Sequence, residues 1–131
     1  MNRNEALEAQ YSDEFRVRIT AAETLINFDD DDSSTALLRL LIDGENLAVT
    51  VRTAQLLMAR NDKHGAMILF AGRSLAWAQT CDRINDVMRE EHQYDRFDIQ
   101  SRAREVLALS NPWSRFGARA ALSWMGLELE E

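Results

Sequence analysis

Two histidines, one cysteine and a run of four aspartates are the residues in this 131-residue chain whose types invite a chemical role. His64 and His92 lie far apart in sequence, and Cys81 has no second thiol. A lone cysteine forms neither an internal disulfide nor a thiolate zinc cluster, and it is compatible with a reducing compartment. Glu90, Glu91, His92, Asp95 and Asp98 gather in one stretch. A helical di-iron site, however, needs Glu-x-x-His repeated on two helices, and the residue three before His92 is Arg89. No metal or cofactor is expected.

Nucleophilic catalysis finds no better footing. Cys81 and Ser74 fall on an expected apolar helix face, and Ser74 lacks the strand-to-helix elbow that exposes a nucleophile. The five glycines, at 44, 65, 72, 117 and 126, make neither a dinucleotide fingerprint nor a phosphate loop. No enzyme is expected.

Asp29-Asp30-Asp31-Asp32 lacks the alternating ligands, central glycine and distal glutamate of a calcium loop. Mimicry of nucleic-acid phosphates is an alternative use of such a run, although the chain also holds 15 basic residues. A solvated loop that helps cap the following helix is the preferred account. The basic residues Arg96, Arg102, Arg104, Arg115 and Arg119, with Trp113 among them, suggest an anion-binding patch. Pairing with Asp95, Asp98 and Glu105 competes with that use and is preferred.

The net charge of −7 is unevenly spread. Residues 1–46 sum to −7, residues 47–126 to +3, and the tail from Leu127 to Glu131 adds −3. Such a division favours oppositely charged partners, while serving solubility as well. Fourteen of the fifteen bases are arginine, which suits bidentate contacts, although genomic base composition gives the same bias.

These residues must be positioned by helices. Asn111-Pro112 is a cap followed by proline at the first helical position, and Gly126 is a left-handed terminator. Between them Trp113, Phe116, Ala120 and Trp124 share one face. A long helix is expected from about 65 to 91, capped by Asn61 or Asp62, with Met67, Ala71, Ser74, Ala78, Cys81 and Met88 in helical register. Its first half is apolar almost all round, which predicts a buried central helix, and Gly72 would let a neighbour approach closely. Asp95 is a candidate cap for a helix bearing Ile99, Ala103, Val106 and Leu107. Ser12 is another, for a helix bearing Phe15, Ile19, Ala22 and Ile26. Asp43-Gly44 admits a hairpin, but Ser33 or Ser34 as one cap, Gly44 as a stop and Asn46 as the next cap favour helix–turn–helix.

The expectation is an all-α fold, one irregular bundle of five or six helices spanning residues 1–131, with α+β and a small hairpin at Asp43-Gly44 as the alternative. The N-terminus shows no signal peptide and no apolar run is long enough to span a bilayer, so cytoplasmic residence is expected. Direct DNA binding is disfavoured: the second helix of a helix–turn–helix over residues 37–59 carries only Arg52 and Arg60 at its end. Two functions remain. The first is a non-enzymatic acidic helical interaction module, an adaptor, chaperone or inhibitor of the kind phages and mobile elements carry, acting on a protein or nucleoprotein complex and plausible as a homodimer. Its surface would be Asp29, Asp30, Asp31 and Asp32, or Trp124, the tryptophan most readily expected to be exposed, although core packing is the commoner fate of Trp77, Trp113 and Trp124 alike. The second is a small-anion or nucleotide-binding protein using Arg102, Arg115 and Arg119.

Overall fold

Side-chain oxygens placed just ahead of apolar stretches start most of the helices. In the computed structural model, which describes residues 1–129, Asn2 and Glu5 form a reciprocal capping box that opens α1 (Arg3–Ala9). Asp30 caps α3 (Asp31–Leu41), Asn46 caps α4 (Leu47–Arg60) and Asp62 caps α5 (Lys63–Leu75). Asp98 caps α7 (Ile99–Leu107), and Asn111 caps α8 (Pro112–Met125) with Pro112 in the first turn. The remaining helices, α2 (Phe15–Leu25) and α6 (Ala78–Gln93), begin without a side-chain cap bond.

The described residues are all-helical, with eight helices and no strand. The hairpin alternative at Asp43-Gly44 is therefore replaced by a helix–turn–helix, and the expected five or six helices become eight. One of the additional helices is α1, whose capping box at Asn2 was not read from the sequence. The other comes from a break in the expected long helix. Ala76 and Trp77 are both extended, with ψ of 145° and 160°, so the helix ends at Leu75 and restarts at Ala78. No proline or glycine marks that break. Packing makes it: α5 must lie against α3 and α8, whereas α6 turns away to lay Thr80, Ile84 and Met88 along the bundle beside α4.

α5 is the central helix. It buries Gly65, Ala66, Ile68, Leu69, Phe70, Ala71 and Gly72, and it touches α3, α4, α6, α7 and α8. A Cβ at Gly72 would run into the Leu41 side chain, the close approach expected there. Buried side chains from Ala6 to Leu122 form one apolar cluster. Phe15, Ile19 and Ile26 lie against it, so the helical reading of that segment holds. No described helix is long and apolar enough to cross a membrane.

Candidate functional site

The contact between α5 and α8 determines which side chains reach the surface. Ser114 Oγ donates to the Met67 carbonyl at 2.9 Å, and Ser74 Oγ donates to the Trp113 carbonyl at 2.7 Å. At Gly117 the two helices come so close that a Cβ would collide with the Phe70 carbonyl. Only small residues fit such an approach, and the buried face of α8 is accordingly Ser114, Gly117, Ala118, Ala121 and Leu122.

The aromatic residues of α8 therefore lie on its outer side. Trp113 is 55% exposed, Phe116 63% and Trp124 38%, with Ala120 half-buried between them. The expected shared face of Trp113, Phe116, Ala120 and Trp124 exists, but it points to solvent rather than to the core. Trp77 in the α5–α6 break is 89% exposed, and the neighbouring Leu75 is also exposed. Ser74, which immediately precedes Leu75 in α5, is hydrogen-bonded to the Trp113 carbonyl at the start of α8. Core packing was the expected commoner fate of Trp77, Trp113 and Trp124, and all three stand out of the core. Trp124, the one most readily expected to be exposed, is instead the least exposed of the three, with the Arg89 guanidinium 4.2 Å over its ring. The sequence signal for this orientation is the small-residue series Ser114, Gly117, Ala118, Ala121, which reads as a close-packing face.

The aspartate run caps a helix and makes ion pairs. Asp30 accepts from Ser33 N and Ser33 Oγ and pairs with Arg3, which also reaches Asp32 at 3.8 Å. The Arg3 and Ser33 hydrogen bonds hold the Asp30 carboxyl well below the usual carboxylate range. Asp29 pairs with Arg60 at 2.7 Å, and Asp31 lies exposed in the first turn of α3. Ser33 and Ser34, the expected caps, thus sit one turn inside the helix that Asp30 opens.

The arginines considered for anion binding are divided. Arg102 donates to the Asn61 carbonyl at 2.7 Å, at the left-handed end of α4, and pairs with Glu105 at 2.8 Å. Arg119 is exposed beside a hollow lined by Leu107, Leu122 and Leu127. Arg115 is half-buried, and its Nε has no hydrogen-bond partner. No described contact joins the three. Arg96 pairs with Glu91 and Glu90 instead of Asp95 or Asp98. Asp98, rather than Asp95, caps α7, and its bonds from Ser101 Oγ and Ser101 N lower its pKa. Asp95 takes a left-handed conformation, φ 55°, in the preceding turn.

Polar side chains of α3 and α5 meet at Ser34 and His64. Ser34 Oγ lies 2.9 Å from both the Asp30 carbonyl and His64 Nε2. The Ser34–His64 hydrogen bond ties α3 to α5. Cys81 is half-buried, with Sγ 4.0 Å from Asn85 Nδ2. Among the described residues, no three His, Cys, Asp or Glu side chains are grouped to hold a metal ion. Neither a family model, nor a curated protein, nor a solved structure matches this chain.

Proposed function

We propose that this chain is a non-enzymatic helical protein-interaction module whose partner-facing surface is the outer side of α8 together with Leu75 and Trp77. The observation that supports this reading is the exposure of Trp113 and Phe116, 55% and 63%, on a helix whose inner side is already filled by small residues. Large aromatic side chains contribute most to affinity when a partner desolvates them. Left in water as a contiguous stripe, they lower solubility and mark a site of association.

The expected surface at Asp29–Asp32 belongs to the same functional class. Three of its carboxylates, Asp29, Asp30 and Asp32, already serve Arg60 and Arg3, so the α8 stripe is the better-supported face. Arg102 is likewise held by Asn61 and Glu105, which favours the interaction module over an anion site built on Arg102, Arg115 and Arg119.

The test is an affinity pull-down from nuclease-treated lysate with the wild-type chain and the Trp113→Ser/Phe116→Ser double variant. Recovery of a dominant protein by the wild type, with loss of at least tenfold in the variant at unchanged helical circular dichroism, is the expected result. Equal recovery by both chains would reject this face.

A further inference from the structure

The exposed stripe also carries a charge pattern, and that pattern says what should cover it. α8 contains two charged residues, Arg115 and Arg119, and no carboxylate. A third cation, Arg89, lies on Trp124. Six other arginines, Arg3, Arg18, Arg52, Arg60, Arg96 and Arg102, each have a carboxylate of this chain within 4 Å. Among the described residues Arg115 and Arg119 have none, nor have Arg16, Arg39, Arg73 and Arg83; on α8 no carboxylate stands beside them, and the buried Nε of Arg115, like that of Arg102, has no acceptor. Trp113 and Phe116 stand near the N-terminal end of the helix, where the unsatisfied N–H groups add positive potential.

Resting on the interaction reading above, we infer that the occupant of the α8 stripe is an acidic amphipathic helix of a partner protein. Its apolar side would cover Trp113, Phe116 and Trp124, and its flanking carboxylates would pair with Arg115 and Arg119. From Trp113 to Trp124 the stripe runs about 16 Å at 1.5 Å per residue, matching roughly three turns of an opposing helix. A second copy of this chain fits less well. A symmetric α8-to-α8 contact would set Arg115 and Arg119 against their own copies, and like charges brought together at an interface oppose association. A nucleic-acid strand would also find aromatic rings beside arginine, but it would approach a molecule of net charge −7.

The test is a selection from a displayed library of helical peptides about three to four turns long. Each has leucine or phenylalanine on one face and flanking positions drawn from Glu, Gln and Lys. Bait proteins are the full chain, Arg115→Gln/Arg119→Glu and Trp113→Ser/Phe116→Ser, with circular dichroism confirming the helices of each. The full chain is expected to enrich glutamate-flanked peptides, which lose at least tenfold in affinity for the arginine variant. Enrichment without charge preference, or of lysine-flanked peptides, would overturn the acidic partner while leaving the interaction surface standing. Enrichment equal on the Trp113→Ser/Phe116→Ser bait, or on no bait, would overturn the surface itself. Sedimentation of the full chain as a dimer that this aromatic variant abolishes would assign the stripe to a second copy. Tighter binding of a labelled oligothymidylate than of any selected peptide would assign it to nucleic acid.

Discussion

Arg18 shows how one buried charge fixes two turns. Its side chain is 7% exposed, Nε donates to Asp43 at 2.7 Å, and Nη1 donates to the Ser12 carbonyl at 2.8 Å. Asp43 also accepts from the backbone N–H groups of Glu45 and Asn46, both at 2.9 Å, which shapes the connection between α3 and α4. The α1–α2 turn and the α3–α4 turn are thereby fastened to one guanidinium. Removing one member of a buried pair costs about 3–5 kcal/mol, because the other charge is left without a partner. Arg18→Met keeps the apolar stem and removes only the guanidinium, so it should lower stability by about that amount in urea denaturation. A loss under about 1 kcal/mol would mean that Asp43 is solvated enough to stand alone. Nothing in the sequence separates Arg18 from Arg16 two positions earlier, although one is buried and the other exposed. The pairing partner lies 25 residues away and becomes visible only once both turns are placed.

At the scale of an element, α8 combines the most legible boundaries with an orientation that its aromatic spacing misassigned. Asn111-Pro112 and Gly126 are local signals, and they set the start and the end: Gly126 takes φ 69° as the terminator. Helical spacing establishes that Trp113, Phe116 and Trp124 share a side, but not whether that side faces inward. That depends on the distance to α5, which the small residues on the opposite side control. The α5–α6 break was illegible for a related reason: Ala76 and Trp77 are not helix breakers, and the change of direction comes from packing against different neighbours. The close approach predicts an order among glycine variants. Gly117→Ala pushes a methyl group into the Phe70 backbone, which cannot move alone, and should cost about 1–3 kcal/mol or somewhat more. Gly72→Ala meets the buried Leu41 side chain, whose displacement costs less than moving backbone, and gains about 1 kcal/mol of helix propensity in return. Gly44→Ala meets nothing within 4 Å and should be nearly neutral. Thermal unfolding of the three should rank them in that sequence. Equal midpoints for Gly117→Ala and Gly44→Ala would show that α8 is not seated against α5 as described, and the outward stripe would fall with it.

Across the whole molecule the acidic leading third is tied together by carboxylate–arginine pairs, and this gives stability a definite response to pH. Arg3 holds Asp30 across 27 residues, Arg52 holds Glu23, and Arg60 bridges Asp29 and Asp62. Three aspartates titrate below their ordinary value of 3.8. The Arg3 hydrogen bond is the main cause at Asp30 and the Ser101 hydroxyl at Asp98; at Asp62 burial pushes upward, but the Arg60 side chain and the Gly65 N–H outweigh it. A carboxyl whose pKa is lowered by folding contributes stability that is fully present above its unfolded pKa. As pH falls below about 4 the unfolded chain takes up protons first, and that contribution drains away until the folded pKa is passed. The denaturation midpoint should therefore hold nearly level from neutral pH down to about 5 and then decline. Asp98→Asn isolates one part of this effect, because asparagine is as good a helix cap as aspartate and lacks only the charge. Its midpoint should lie below that of the wild type at neutral pH, and the two curves should converge in acid as wild-type Asp98 protonates. A gap that stayed constant down to the acid limit would place the loss in cap geometry instead of ionisation. It would also remove Asp98 from the account of acid sensitivity, leaving that to the inter-helix pairs of Asp30 and Asp62.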